Sequence, residues 1–373
     1  MKIQDITNFL ETIAPKGLQE NYDNVGLLTG SAGWECTGIL TTLDATESVV
    51  LEAVKNKCNL IVAHHPIIFG GLKKINGKNY VEKAVIAAIK NDIAIYAIHT
   101  NLDNVLEGVN GKIADKLGLI NCEILLPRQN TLKKLETYVP NAHLQKVREA
   151  IFEAGGGHVG NYSDCSFTST GEGTFKGAEG THPFVGTAGK LHTEAESKIE
   201  VIFPVWMEEA IVKALLDAHP YEEVAYQVIN SNNVNKQIGS GLIGELAVAI
   251  SETEFLNKIH KVFNINVIRH TPLKNKLVKK IALCGGAGSF LIDKALQVGA
   301  DFYITGDVKY HEFFDANDQL VIADIGHYES EQYTIELLFD ILSEKFPTFA
   351  VQKSVVITNP VNYFVAAESP NGA

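Results

Sequence analysis

Five residues of this chain, His64, His65, Asp103, His327 and Glu331, have the donor types that hold a pair of divalent metal ions. Imidazole and carboxylate together suit zinc, iron, cobalt or manganese, whereas a calcium or magnesium site would be built from oxygens alone. Adjacent histidines at the end of a strand point in different directions, so His64 and His65 can each face a different ion, and Pro66 stiffens the turn behind them. His327 and Glu331 stand four apart at the start of an expected helix and so reach the same ion from one face. Asp103 closes the matching element of the first half and offers a carboxylate able to bridge two ions. His99, four residues before it, is expected outside the ligand set, orienting Asp103 or a bound water.

Other residues keep two readings. Cys284-Gly-Gly-Ala-Gly-Ser289 follows a strand and opens a helix. The N–H groups of Gly285, Gly286, Gly288 and Ser289 could cradle a phosphate, or the glycines could simply permit a tight strand-to-helix turn. The segment lacks the dinucleotide-binding and Walker spacings, and no lysine follows it. Thr305-Gly-Asp307 and His311 occupy the next expected strand tip and could line the same cleft, with Asp307 equally suited to capping the helix beyond it. His99 and His311 are the candidate proton donors, because histidine titrates near working pH. His219-Pro-Tyr-Glu-Glu223 reads as a helix end, a proline stop and a solvated acidic turn, while His158 and His182 fall in glycine-rich loops.

Taken singly, a histidine after a buried strand is usually a satisfied polar group. The metal reading rests on the elements that gather these residues. Ile39–Leu43, Leu60–Ala63 and Ile93–Ile98 are apolar runs alternating with helical stretches at Glu47–Asn56 and Tyr80–Lys90, a βαβ grammar. After Gly239-Ser-Gly241 the same grammar returns. Strands are expected at Lys280–Leu283, Phe302–Ile304 and Leu320–Ala323, helices at Leu291–Val298 and His311–Ala316, and a long closing helix from about Glu329. Leu60-Ile-Val-Ala-His64-His65 echoes Phe302-Tyr-Ile-Thr-Gly306-Asp307, and His99-x₃-Asp103 echoes His327-x₃-Glu331, an internal repeat. Parallel strands put their carboxyl ends on one sheet edge, which would collect these tips.

Between the halves the texture is rich in glycine, serine and threonine. The expected order is strand Lys134–Val139, helix Leu144–Ala154, strand Tyr162–Thr170, strand Lys198–Phe203, helix Met207–Ala218 and strand Ala225–Val228, a ferredoxin-like insertion. The organisation is therefore 1–128 and 237–373 as two parts of one α/β unit, with 129–236 inserted.

The composition agrees. A chain of 373 residues with 46% hydrophobic content can form two domains, and a net charge of −12 disfavours nucleic acid as a partner. Five scattered cysteines form no Cys-x-x-Cys pair, so neither a disulfide framework nor a thiolate zinc site is indicated. With no leader-like start and no apolar run of membrane-spanning length, a cytoplasmic protein is expected.

Tyr22-Asp-Asn-Val-Gly-Leu27, Ala63-His-His-Pro66, His99-Thr-Asn-Leu-Asp103, Gly285-Gly-Ala-Gly-Ser289, Thr305-Gly-Asp307 with His311, and Gly326-His-Tyr-Glu-Ser-Glu331 occur in the order found in the NIF-three-like proteins, also called GTP cyclohydrolase 1 type 2 homologs. The chain resembles this family over both flanking segments, departing at Tyr22, where tryptophan is commoner. The resemblance implies a dinuclear divalent-metal site at His64, His65, Asp103, His327 and Glu331. It also implies a homohexamer and an inserted domain similar to PII and CutA, with His219-Pro-Tyr-Glu similar to the CutA signature. The function expected is that of a metal-dependent hydrolase acting on a nucleotide or other small anionic substrate. The alternative is a metal-binding regulatory or storage protein whose insertion senses a ligand.

Overall fold

Runs of consecutive apolar residues build the central strands, because a parallel strand is covered on both faces. Leu60-Ile-Val-Ala63 and Ala94-Ile-Tyr-Ala97 are of this kind, and all eight residues are buried. The structure is a computed structural model that describes residues 1–364. The chain divides into two compact units, Met1–Pro127 with the chain from Lys236 onward, and Arg128–Asn235.

The first part supplies β1 (Gly26–Thr29), β2 (Ile39–Asp44), β3 (Leu60–His65), β4 (Ala94–Ala97) and β5 (Leu119–Pro127). The second unit contains β6 (Leu132–Pro140), β7 (Phe167–Phe175), β8 (His192–Pro204) and β9 (Tyr226–Ser231). The first unit then resumes with β10 (Gly239–Ser251), β11 (Arg269–His270), β12 (Leu277–Ala287), β13 (Phe302–Gly306), β14 (Val321–Asp324) and β15 (Val351–Lys353).

One sheet is ordered β1-β4-β3-β2-β15, with β2, β3 and β4 parallel and β1 antiparallel on the edge. The other is ordered β11-β14-β13-β12-β10-β5, with β12, β13 and β14 parallel and β11 antiparallel on the edge. The two halves thus repeat each other strand for strand, from an antiparallel edge through three parallel strands. Their last strands are exchanged: β5 pairs with β10 in the second sheet, while β15 pairs with β2 in the first.

That exchange ties the halves around a shared core, in which Val62 and Tyr96 of one sheet belong with Ile281, Phe302 and Val321 of the other. Each such side chain contributes about 1.5–3 kcal/mol by leaving water. Phe255 meets Phe302 edge to face at 5.0 Å. The helices start where their sequences say they should: Thr46 caps Glu47–Lys55 and Asn79 caps Tyr80–Lys90, each accepting an N–H three residues on.

The second unit has the order strand, helix Leu144–Glu153, two strands, helix Glu208–Ala218, strand. Its antiparallel sheet is ordered β7-β8-β6-β9. Along β8 the side chains alternate: Ile199, Val201 and Phe203 join Val147, Ile151, Ile211 and Leu215 of the helices, and Glu196, Lys198 and Glu200 face the opposite side.

Several elements differ from expectation. The strand expected at Tyr162–Thr170 begins at Phe167, because Val159 and Tyr162 close a turn on each other. The helix expected at His311–Ala316 is a 3₁₀ turn, Tyr310–Ala316. The closing helix is two helices, His327–Glu331 and Thr334–Lys345. Among the described residues, no helix is long and apolar enough to cross a membrane.

Candidate metal centre

His64 and His65 end β3, His99 follows β4, and His327 and Glu331 lie on the short helix after β14, so the parallel topology delivers all of them to strand tips. Three overlapping groups result: His64 with Asp103 and Glu331; His65 with His327 and Glu331; and His64, His65 and His99. Within each group the ligand atoms lie within 4.8 Å of one another. Glu331 is common to the first two. Its Oε1 faces His64 Nε2 at 3.8 Å, and its Oε2 accepts from His65 Nε2 at 3.0 Å and from His327 Nε2 at 3.1 Å. Asp103 Oδ1 approaches His64 Nε2 at 3.6 Å. The carboxylate shared by two of the donor groups is therefore Glu331, whereas Asp103, expected to bridge, belongs to one.

The four imidazoles share one hydrogen-bonding pattern. His64 Nδ1 donates to the Ile98 carbonyl at 2.9 Å, His65 Nδ1 to Asp44 at 2.8 Å, His99 Nδ1 to Asp23 at 2.9 Å, and His327 Nδ1 to Asp307 at 2.8 Å. An acceptor behind each ring fixes its tautomer and points Nε2 inward, the arrangement that metal-ligating histidines require. His64 Nε2 is buried with no hydrogen-bond partner among the described residues. An orphaned lone pair facing two carboxylates is costly unless a cation completes it, so the donor set fits a divalent ion.

The electrostatics agree. Burial pushes His64 down to about 4, so it stays neutral. Burial works against charge on His65 as well, yet Asp44 and Glu331 lift it to about 10. The Glu331 hydrogen bond, with help from Asp307, raises His327 to about 9 against burial. Burial and repulsion from Glu331 push Asp103 well above the carboxylate range. Burial alone would also raise Glu331, but hydrogen bonds from His327 and His65 and the nearby His64 imidazole hold it well below that range. Without a metal the cluster thus holds protons where metal ions would sit.

The DUF34/NIF3 family (NGG1p interacting factor 3) matches this chain over residues 1–360. The chain belongs to the DUF34/NIF3 family. A GTP cyclohydrolase 1 type 2 homolog of Halalkalibacterium halodurans is 40% identical over 365 residues, covering 96% of this chain and 98% of the relative. The Bacillus subtilis homolog of the same name is 38% identical over 327 residues, covering 87% and 88%. The crystal structure of a Bacillus cereus protein related to NIF3 superposes with a TM-score of 0.84 at 37% identity, covering 98% of this chain and 99% of that one.

In this NIF3-family chain a cavity of about 870 Å³ opens over the cluster, with Tyr22, Phe69, His99, Asp103 and Glu331 in its wall. His99 lies 5.2 Å from both the His64 and His65 rings. It is bonded to Asp23 rather than to Asp103, one of the two partners expected for it. Burial would raise Asp23, but bonds from His99 and Thr100 bring it to about 2.

His311 is exposed on its 3₁₀ turn against Tyr310 and Phe314, and does not line this cavity. The glycine segment is not an open phosphate cradle. The N–H groups of Gly285, Gly286 and Gly288 are taken by Asn110, Ser330 and Thr305 at 2.9, 2.9 and 3.0 Å, and Ser289 begins a 3₁₀ turn of three residues. Its glycines instead leave room for Glu331: a Cβ on Gly286, at φ +63°, would collide with Oε1 and lie 3.2 Å from the carboxyl carbon.

Asp307 does not cap the turn that follows it. It sits at φ +54° and turns its carboxylate to His327, while Lys309 precedes the 3₁₀ turn. Asp23, Asp44 and Asp307 are the functional partners that sequence reasoning missed in that role. Asp44 could have been found, since it ends β2 beside the tip of β3, where it pairs with His65.

Proposed function

We propose that this protein is a metal-dependent hydrolase carrying two divalent ions, with His64, Asp103 and Glu331 holding one and His65, His327 and Glu331 the other. Zinc is the first candidate and iron or manganese the next, from the mixed nitrogen and oxygen donors. The observation that carries the reading is the inward convergence of the Nε2 atoms on a shared carboxylate at the floor of a cavity. Bound there, such ions would polarise a substrate oxygen and make water nucleophilic near neutral pH.

The chain's own residues would do the rest. Asp44 and Asp307 hold His65 and His327 in place from behind. Asp23 accepts the Nδ1 proton of His99, which leaves Nε2 free to take a proton and return it to a leaving group. Tyr22 and Phe69 stack at 6.2 Å on the cavity wall and offer aromatic faces to a planar heterocycle, which supports a nucleotide or similar substrate. No lysine or arginine among the described residues lines the cavity, so an anionic group would be held by the metals alone.

The test is a screen of nucleotides, phosphoesters and cyclic amides with metal-loaded and chelated protein. Turnover that depends on metal and is abolished by Glu331→Gln is expected. If nothing in the screen responds to chelation, the regulatory or storage reading takes its place. That second reading is favoured by a separate cavity in the unit 128–235, which we read as a PII/CutA-like domain from its strand order and its His219-Pro-Tyr-Glu turn. The homohexamer implied by the resemblance is part of the same proposal, and light scattering that finds a monomer at micromolar concentration would contradict it.

A further inference from the structure

The second unit has a cavity of about 670 Å³ on the sheet face away from its helices. Period-2 alternation along β8 puts Glu196 and Lys198 on this face. On the neighbouring β7, Gly171 and Gly173 leave space in front of them, and a Cβ on Gly173 would come within 2.7 Å of the Glu196 carboxyl carbon.

Two facts define the chemistry. Glu196 is 8% exposed and forms no ion pair with any described residue. Its Oε1 accepts from the Tyr221 hydroxyl at 2.8 Å, while the nearby Lys198 ammonium is engaged by Glu136 at 2.8 Å and Glu200 at 3.3 Å. A buried carboxylate without a countercharge is costly, and a cation supplied from outside would relieve it.

Aromatic rings line the same cavity. Tyr221 lies 5.9 Å from Phe175 and 6.3 Å from Phe184, and all three line the cavity. Phe184 is 51% exposed and meets the His143 ring edge to face at 5.2 Å. Burial and the Glu196 carboxylate push the Tyr221 phenol well up, so it stays protonated and keeps donating to Glu196.

We propose that this cavity binds a small organic cation bearing an alkylated ammonium group, with Phe175, Phe184 and Tyr221 against the cation and Glu196 as its countercharge. Ring faces attract a cation without offering hydrogen-bond acceptors. A primary ammonium carries three donors and needs acceptors for them, whereas a quaternary one needs none. One buried carboxylate, already shared with Tyr221, therefore suits the alkylated form. The proposal is independent of the metal centre.

The experiment is calorimetric titration of the full chain with choline, tetramethylammonium, putrescine and inorganic phosphate. Choline and tetramethylammonium should bind, and putrescine and phosphate should bind at least about tenfold more weakly. Phe184→Ala, at an exposed position, and Glu196→Gln, which keeps an acceptor for Tyr221, should each weaken choline by about tenfold. Metal content should stay unchanged and neither variant should unfold at a lower temperature, which separates a lost site from a lost fold. Absence of choline binding at tens of millimolar would overturn the proposal. So would binding that both substitutions leave intact, or putrescine binding as tightly as choline.

Discussion

Replacing Gly286 by alanine perturbs the metal centre through a single methyl group. The residue sits at φ +63°, in the left-handed region, where a Cβ costs about 1–2 kcal/mol of backbone strain. The added carbon would also overlap Glu331 Oε1 and stand 3.2 Å from Glu331 Cδ and 3.3 Å from His327 Cε1. Glu331 is 3% exposed and bonded on several sides, so it can only move by giving up its place between His64 and the His65–His327 pair. The strain alone should lower the folded-to-unfolded ratio by a factor of about 5–30. Displacing the shared carboxylate should weaken metal binding by at least about 10–100-fold, the range seen when even a supporting partner of a ligand is lost. Gly299 supplies the control: its φ is +68° and a Cβ there meets nothing within 4 Å, so Gly299→Ala carries the backbone strain without the collision. Urea unfolding in chelator should show similar losses of stability from strain in both variants, with any excess in Gly286→Ala. Elemental analysis after dialysis should show depleted metal in Gly286→Ala alone. Full metal content in Gly286→Ala, or equal depletion in Gly299→Ala, would refute the reasoning.

Elemental analysis should also separate the carboxylates, with Glu331→Ala losing both ions and Asp103→Ala chiefly the one beside His64; equal loss in the two variants would return the bridging role to Asp103. Asp44→Asn and Asp307→Asn should each reduce zinc affinity by about 10–100-fold in a competition assay with a chromophoric chelator, because each loses the carboxylate behind a ligating ring. His65 and His327, raised to about 10 and about 9, hold protons at neutral pH in the metal-free protein. Zinc binding at pH 7 should therefore release about two protons from these imidazoles, beside the contribution of the raised Asp103 carboxyl, measurable by calorimetry in buffers of different ionisation enthalpy, and the apparent affinity should rise as pH increases toward those values. By the same sign, the stability these protons give the metal-free protein is fully present below the ordinary imidazole value of 6.5 and is lost as pH rises through 9 and 10. Replacing the unit 128–235 by a short Gly/Ser linker should leave a soluble, metal-binding protein, because Pro127 and Gly239 are paired across neighbouring strands; an insoluble product would contradict this.

The sequence by itself determined the elements that local patterns encode. Continuous apolar runs marked β2, β3, β4, β13 and β14, and capping residues such as Thr46 and Asn79 fixed helix starts, because both depend on neighbours a few residues apart. It also selected the donor residues, since histidines and acids at strand tips stay together once the strands run parallel. Only the tertiary structure decided what each donor touches. The pairings of Asp23 with His99, Asp44 with His65, and Asp307 with His327 span 76, 21 and 20 residues. They follow from how strand tips meet, and no local pattern carries that. The shared position of Glu331 depends on β12 passing beside the short helix His327–Glu331, where glycine alone at 286 leaves the carboxylate its space. For the same reason the glycine segment, an anion loop when read locally, is in the fold a set of N–H groups already satisfied by Asn110, Ser330 and Thr305. The exchange of β5 and β15 between the sheets was equally hidden, because a strand's pattern says that it will be covered and not which sheet will cover it.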